Sequence, residues 1–424
     1  MRTLYATYVQ PAANRFRPLS SERNMTTGPD VSAIDAAQDA PLLPLYLANA
    51  VCSMGMMGFV AAAGPLAEAI GLEAWQIGLS ATAGGLGWVL SARAWGRAAD
   101  RIGRKPVLVL GLIGFAAAYI ALCLSAQAGI GWGFAPLAAL TALVATRFCM
   151  GLTYSAIPAA GNAMIADRYA PEVRAGAMGR LGAAQAAGLL FGPAFVAVAA
   201  GPSPTTPLFI LALLPLPVLV FLVLRLPRSR LRDGRVTPPL ALSDPRLLRP
   251  VTAAFAAMIG VGIAQIVIGF IALDRLGLPG PAAMRFAGIA LSAVGVALIV
   301  AQMVVTRLGW QPQTLMRAGG ALSAIGFIAA AFAPNALILA AAYAVAGFGA
   351  GWVFPAISAA AANAVSADEQ GRAAGSVSSA FGVGAVFGPI MGGALYDVNA
   401  ALPLIAAALA MLAITYLSGA LRRQ

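Results

Sequence analysis

The chain has 424 residues, of which 60% are hydrophobic and 10% charged, and its formal net charge is +12. A soluble domain could not bury so much apolar surface, so the composition predicts an all-α protein embedded in a bilayer. It excludes nucleic acid as a partner, because the basic residues lie mainly between apolar segments, where they act as topology signals. Three cysteines without CxxC spacing, together with the absence of histidine, argue against a disulfide framework or a metal site.

Residues 1–41 are polar and are predicted to form a disordered cytoplasmic tail. Six apolar stretches follow, each near the ~20 residues that a membrane-spanning helix needs. They run over 42–66, 76–98, 106–126, 134–158, 175–199 and 205–226. Together they predict an N-terminal six-helix bundle over 42–226.

An arginine-rich segment at 227–249 is interpreted as a cytoplasmic central loop. Six further apolar stretches follow it and predict a C-terminal six-helix bundle over 250–420, with a cytoplasmic C-terminus at 421–424. They run over 250–273, 282–306, 314–333, 336–362, 372–396 and 401–420.

The distribution of basic residues predicts the orientation. With a cytoplasmic N-terminus, the inner loops hold most of the arginines. The outer loops then hold Glu68, Glu73 and Asp397, with only Arg275 and Arg285 as bases. This is the bias expected when positive charge stays on the cytoplasmic side. We therefore expect a multi-pass protein of the cell inner membrane with both termini in the cytoplasm.

The two halves are related in sequence. Ile157-Pro158 in the fourth stretch is echoed by Phe354-Pro355 in the tenth, and Gly192-Pro193 in the fifth by Gly388-Pro389 in the eleventh. The prolines of the two pairs lie 197 and 196 residues apart. A near-constant offset indicates duplication, and six-plus-six repeats around a midplane site are a known transporter architecture.

The loop after the second stretch reads Gly96-Arg97-Ala98-Ala99-Asp100-Arg101-Ile102-Gly103-Arg104-Lys105. It resembles the G-x-x-x-D-R-x-G-R-K signature of the major facilitator superfamily. The resemblance covers about residues 42–420. It implies twelve transmembrane helices in two pseudosymmetric six-helix bundles, and a transporter rather than an enzyme.

In that family the motif latches the cytoplasmic side of the outward-facing state. Gly96 permits close helix approach, and Gly103 permits a tight turn. Asp100 can meet the positive end of a partner helix, and arginines such as Arg104 can pair with a carboxylate. The expected partner is the start of the eleventh helix, near 372–375. The alternative is a basic loop that only sets topology.

Arg147, inside the fourth stretch, stands in Arg147-Phe-Cys-Met-Gly151, which resembles the R-x-x-x-G motif of the same family. A membrane arginine is costly to bury, so it is a functional candidate. The resemblance implies that it assists proton transfer or binds substrate. The alternative is a structural arginine whose side chain is satisfied by backbone carbonyls.

The fifth stretch resembles the antiporter signature G-x-x-x-G-P-x-x-G-G, but Val196 and Ala197 replace its last two glycines. The motif residues in the two stretches are Gly188, Gly192, Pro193, Gly384, Gly388, Pro389, Gly392 and Gly393. In the family this pattern is associated with exporters. Ordinary close packing of helices is the alternative.

None of the stretches carries an Asp or Glu near its middle. The candidates for coupling a proton therefore lie near the ends, with Asp100 first and Glu68 next, and Arg93 is a candidate partner for an acid. Polar and aromatic residues that could line a cavity are Asn49, Tyr154, Gln185, Gln265, Trp352 and Phe381. Each could equally join helices to one another.

The leading hypothesis is a monomeric exporter that moves a small hydrophobic or amphiphilic molecule across the lipid bilayer by alternating access. It needs no cofactor or metal and is driven by a proton gradient. The alternative is an importer or uniporter for a small metabolite, which needs no coupling acid. A membrane receptor is disfavoured because no loop is long enough for a soluble domain. An embedded enzyme is disfavoured because no nucleophile–base pair is evident.

Overall fold

A computed structural model describes residues 42–131, 135–169, 171–227, 241, 243–366 and 369–420. The predicted tail at 1–41, most of the predicted central loop and the C-terminus at 421–424 lie outside the described residues. Within the described ranges the chain is helical almost throughout, and its helical segments group into twelve spans.

The six spans of the first half are α1 Leu43–Ile70, α2 Ala74–Ile102, α3 Arg104–Gly131, α4 Pro136–Arg168, α5 Pro171–Ala199 and α6 Thr206–Arg225. The helices α1 and α2 each run about one turn further than the hydropathy pattern predicts. Gly71 ends α1 in the left-handed conformation, with φ of 78°, and its N–H bonds to the last carbonyls of the helix. Gly103 has φ of 97° and turns the chain between α2 and α3.

The six spans of the second half are α7 Leu248–Arg275, α8 Gly280–Leu308, α9 Pro312–Ala331, α10 Ala336–Asn363, α11 Gln370–Val398 and α12 Leu402–Ala420. The helix α7 begins inside the segment predicted as the central loop. The Asn335 side chain accepts a hydrogen bond of 3.0 Å from the Ile338 N–H and so caps the start of α10.

Three of the spans are irregular. The helix α4 is interrupted at Ser155, and α6 immediately before Pro215, which lacks the N–H that would continue the helix. The last turn of α7, Ile271–Arg275, is a π-helix. It carries Asp274, whose carboxylate accepts a hydrogen bond of 2.8 Å from the Tyr396 hydroxyl on α11. Such π-turns are frequently found at functional sites.

Ten helices in the described ranges are long and apolar enough to cross a membrane. The helix α2, which is rich in glycine and alanine, and α12, whose apolar part Leu402–Ser418 is shorter, complete the twelve spans. Large apolar side chains remain on the outer surface, among them Val198 at 86% and Leu337 at 80% exposure. Such a surface requires lipid as its solvent.

The spans form two six-helix bundles that meet along α2 and α11, α5 and α8, and α1 and α7. The end called basic here holds the turns at 103, 169, 309–311 and 364–366. The far end holds the turns at 71–73, 200–205, 276–279 and 399–401.

Candidate functional site

The first contact between the halves joins the far-end portions of α2 and α11. A Cβ atom at Gly78 would overlap the carbonyl oxygen of Pro389. One turn further along α2, the Thr82 hydroxyl donates a hydrogen bond of 2.6 Å to the Val386 carbonyl oxygen. The two backbones can lie this close only because residue 78 has no side chain.

The second contact joins α5 and α8 in the same way. A Cβ atom at Gly288 would lie 2.5 Å from the carbonyl oxygen of Pro193. The Ser292 hydroxyl lies 3.4 Å from the Leu190 carbonyl oxygen. In both contacts a glycine of one helix faces a proline carbonyl of the other. The hydroxyl side chain four residues after the glycine faces the carbonyl of the residue three positions before that proline. The sequence repeat therefore places equivalent closure points on both sides of the molecule.

A carboxylate distinguishes the α2–α11 contact from the α5–α8 contact. The two carboxylate oxygens of Asp397, at the end of α11, accept hydrogen bonds of 3.2 and 2.9 Å from the Ala74 and Trp75 N–H groups. The start of α2 is thus capped by the opposite half of the chain, and a negative charge there is favourable. The corresponding end of α5 reads Ala199-Ala200-Gly201-Pro202 and offers no such group.

The antiporter-like glycines mostly pack helices within each half. Cβ atoms at Gly188 and Gly192 would overlap the α1 backbone, as those at Gly384, Gly388 and Gly392 would overlap or crowd α7. Gly393 differs, because a Cβ atom there would overlap the Ala74 carbonyl of the opposite half. The motif therefore lets α5 and α11 pack closely against helices of their own bundles, while Pro193 and Pro389 face the other half.

The basic end is open when judged in the same way, by the space around a Cβ atom added at each glycine. Among the described residues, Cβ atoms added there would meet nothing within 4 Å at Gly96, Gly176, Gly179, Gly182 and Gly371. These glycines lie on α2, α5 and α11, the helices that are in tight contact at the far end. The cleft between the bundles thus opens towards the basic end.

The loop motif ties together helices of the first half. Arg104 is ion-paired with Asp100, and its Nε donates a hydrogen bond of 3.0 Å to Asp167 at the end of α4. Lys105 donates hydrogen bonds of 2.8 and 2.6 Å to the Val223 and Leu226 carbonyls and caps α6.

These contacts differ from the expected latch. Asp100 was expected to meet the start of the eleventh helix, but its ion-pair partner here is Arg104 of its own half. Its pairing with the second half stays a prediction for a state in which the basic end is closed. Arg101 is exposed in the present state, and Asp167 was not expected to be a partner of the motif.

Arg147 is buried in the first half with 2% exposure. Its guanidinium carbon lies 4.4 Å from the centre of the Phe59 ring, and Nη1 donates to the Met56 sulfur at 3.4 Å. Its Nε has no hydrogen-bond partner, and no carboxylate pairs with it in the described part of the chain. A Cβ atom at Gly151 would overlap the Gly84 carbonyl, so the motif also brings α4 close to α2.

Arg147 therefore combines burial, positive charge and incomplete pairing. The aromatic face and the thioether supply only weak partners for the guanidinium. The backbone carbonyls that a purely structural arginine would use are not among its side-chain partners in the described ranges. Such a group is suited to meet a ligand or to influence a nearby proton.

The other charged candidates lie at the surface. Glu68 is exposed at the far end of α1, close enough that a Cβ atom at Gly280 would lie 3.6 Å from its carboxylate. Arg93 is exposed on α2, towards the basic end. Neither is enclosed by the bundle in this state.

Two cavity candidates join helices inside the first half. Asn49 donates a hydrogen bond of 3.0 Å to the Leu181 carbonyl, and so links α1 to α5. The Tyr154 and Ser53 hydroxyls lie 2.7 Å apart and link α4 to α1. Both candidates are almost fully buried.

The remaining candidates are placed differently from one another. Trp352 donates a hydrogen bond of 3.2 Å to the Ala301 carbonyl between α10 and α8. Phe381 packs on Phe354, with ring centres 5.4 Å apart. Gln185 is half-buried on α5, and Gln265 lines a cavity inside the second half.

One ion-pair cluster lies outside the spans, between the segment that precedes α7 and the start of α11. Arg246 donates bidentate hydrogen bonds of 2.7 and 3.2 Å to Glu369 and also pairs with Asp244. The hydrogen bonds from Arg246, and then from Ser366, lower the pKa of Glu369 to about 2. The pKa of Asp244 is lowered for the same reason, chiefly by hydrogen bonding from Arg246.

Two six-helix bundles that are closed at one end and open at the other define the architecture of a membrane transporter. The chain belongs to the Major Facilitator Superfamily, whose family model matches residues 45–322 and 251–423. The resemblance seen in the loop motif and the twelve-helix prediction are confirmed.

Several transporters are similar in sequence. Over 110 residues, 26% of this chain, it is 34% identical to a triacylglyceride transporter of Mycolicibacterium smegmatis, covering 18% of that protein. It is 39% identical over 119 residues to the class D tetracycline resistance protein of Salmonella ordonez, covering 28% of this chain and 27% of that one. These matches thus span less than a third of either relative. A longer match, 28% identical over 330 residues, covers 74% of this chain and 78% of the class G tetracycline resistance protein of Vibrio anguillarum.

Solved structures show the same fold. A bacterial homologue of the human lysosomal transporter Spinster, described as inward-facing and unoccupied, has a TM-score of 0.72 at 15% identity, covering 91% of this chain and 97% of that one. A human organic anion transporter has a TM-score of 0.63 at 17% identity, covering 90% of this chain and 99% of that one.

Proposed function

We propose that the protein exports a small hydrophobic or amphiphilic molecule by alternating access, in exchange for protons. The observation that carries the proposal is the difference between the two ends. Gly78 and Gly288 close the far end against proline carbonyls, while the basic end stays open. A second state with the ends reversed completes the cycle of a transporter.

The orientation in this proposal comes from the charges. Arg97, Arg101, Arg104 and Lys105 all belong to the basic end, and positive charge favours the cytoplasmic side. The open cleft then faces the cytoplasm, from which an exporter loads its substrate. Both termini lie on that side, and the chain resides in the inner membrane as a monomer.

The choice of export is supported by the relatives and by the two antiporter-like motifs. Three tetracycline resistance proteins are among the similar sequences. The substrate class is supported by the scarcity of charge along the spans, since an apolar pathway suits an apolar or weakly polar molecule. Arg147 is the group we assign to proton transfer or to a polar part of the substrate.

Uptake or uniport is the second candidate. It is favoured by one observation, the lack of an acidic residue near the middle of any span. Coupling through Asp100 or Glu68 would have to act from the ends of the helices. An importer or uniporter would need no such group.

Direction of flux tests the two candidates. Everted membrane vesicles that contain the chain are energised with lactate and offered tetracycline and a panel of neutral amphiphilic dyes. We expect accumulation of at least one probe, and its collapse when nigericin dissipates the pH difference. Accumulation only in right-side-out vesicles would establish an importer. Downhill flux that ignores nigericin would establish a uniporter.

A further inference from the structure

A cavity lies inside the second half, lined by residues of α7, α8, α9 and α10. Its volume is about 460 Å³ with the open mouth included. The deeper part is apolar and buried, with Leu291, Phe327 and Tyr343 among its walls. The mouth is formed by half-buried residues, among them Val261 and Phe354. The space suits a single substituted ring.

The cavity offers one free polar group. The Tyr343 hydroxyl is already used, because it donates a hydrogen bond of 2.9 Å to the Ala264 carbonyl. The Gln265 amide lies in the lining at the half-buried mouth, and within the described residues no hydrogen bond satisfies it. An amide can donate two hydrogen bonds and accept two. An apolar pocket with one such group can orient a ligand as well as hold it.

The lining also excludes some ligands. It contains no charged side chain, so a carboxylate or ammonium group would lose its hydration without gaining a partner. Arg147 lies in the other bundle and is not part of these walls. An uncharged ring with one polar substituent would have its apolar surface buried and its hydrogen bond satisfied.

We propose that this cavity is the subsite for an uncharged aromatic or cyclic part of the transported molecule, and that Gln265 hydrogen-bonds a single hydroxyl, carbonyl or amide on that ring. The inference rests on the proposed transport function and names a substrate class for it. Phe354, which packs on Phe381 of α11, forms the aromatic edge at the mouth.

Binding of two small probes tests the subsite. The full chain in nanodiscs is titrated with 4-fluorophenol and with fluorobenzene, followed by ¹⁹F NMR, with empty nanodiscs as the lipid background. Gln265→Leu should weaken 4-fluorophenol binding by about tenfold, the value of one lost hydrogen bond, and leave fluorobenzene within about twofold. Val261→Trp should fill the mouth and abolish binding of both. Val296→Trp, at a residue on α8 that is 52% exposed, should leave both unchanged.

Equal weakening of both probes by Gln265→Leu, or equal effects of the two tryptophans, would overturn the inference. Thermal unfolding of each variant excludes misfolding as the cause. Vesicle flux separates this inference from the proposed function. Transport that Val261→Trp leaves unchanged would overturn the subsite alone. Probe binding in a chain that moves none of the vesicle probes would overturn the proposed function and leave the cavity as a binding site.

Discussion

The two ends of the α2–α11 pair use different physical means. At the far end the helices meet backbone to backbone, at Gly78 against Pro389 and at Gly393 against Ala74. At the basic end the same helices are apart, and charged groups such as Asp100 are bound to partners in their own half. Contact between small residues depends on shape and is lost when a methyl group is added, whereas ionic contact can be exchanged between partners.

This difference indicates how the cycle is biased. A substitution at the far end acts by steric overlap and disfavours the state described here. If the latch hypothesis holds, a substitution in the basic loop removes a charge that the opposite state needs. The two kinds of variant should therefore shift the equilibrium between the two states in opposite directions.

The largest effect is expected from a single methyl group at either closure point. Gly78→Ala and Gly288→Ala each place a Cβ atom against a proline carbonyl. Overpacking of this kind costs about 1–3 kcal/mol, which would shift the equilibrium away from far-end closure by about 5- to 150-fold. Spin labels at Leu137 and Leu337, exposed far-end residues on α4 and α10, measure the separation. We expect longer distances and slower flux.

Gly131→Ala is the matched control for these two variants. It lies at the far end of α3, where the one described contact of an added Cβ atom would be the Gln127 side chain at 3.6 Å. Its distances and flux should equal those of the parent. If the variants at Gly78 and Gly288 also kept the parent distances, the closure points would not determine the state.

Asp100→Asn should act in the opposite direction. In the present state the ion-pair partner of Asp100 among the described residues is Arg104 of its own half, so we expect far-end closure not to depend on Asp100. If it meets the start of α11 when the basic end closes, its loss destabilises that state and slows transport strongly without preventing insertion. Far-end distances should stay short or become shorter. The control is Arg97→Gln, which removes an exposed charge on the same helix and should leave transport normal. Normal transport by Asp100→Asn would reject the latch.

A smaller effect is expected at Asp397. The carboxylate caps α2 across the interface and is itself exposed, so its contribution is near the ~1 kcal/mol of a helix cap, about fivefold in population. Asp397→Ala should lengthen the distance between the labels at Leu137 and Leu337 modestly. Glu73→Gln removes a neighbouring carboxylate that bonds within its own half, to Trp75 Nε1 at 2.6 Å, and should change little. Equal effects of Asp397→Ala and Glu73→Gln on the distance would show that Asp397 acts through its negative charge alone and not through the cap across the interface.

The sequence could predict what depends on local pattern. Apolar stretches, basic loops and the glycine–proline repeats predicted twelve spans, two halves and the family. It could not predict partners distant along the chain, because these depend on how helices pack. Asp397 and Trp75, 322 residues apart, are one example. Gly78 and Thr82 are visible as a G-x-x-x-T pattern, but nothing local indicates that Pro389 faces them.

Residue roles within the candidate site were equally hard to separate. Asn49, Tyr154 and Gln265 look alike as polar residues in apolar stretches. The Asn49 amide nitrogen and the Tyr154 hydroxyl form hydrogen bonds with neighbouring helices, while Gln265 is left in a cavity wall. The distinction depends on which helix lies opposite each side chain, and hydropathy does not report that.

The smallest effect is expected at the ion pair of Arg246 and Glu369, which is exposed to solvent beside the open basic end. Folding lowers the pKa of Glu369 to about 2, so the ion pair stabilises the folded state fully above the unfolded pKa of ~4.3. That stabilisation declines below this value and is lost as the pH falls through about 2. The Tm difference between the parent and Glu369→Gln should thus be small at pH 7 and shrink by pH 3. A difference that stays constant over this range would mean that Arg246 does not hold the carboxylate in the folded state.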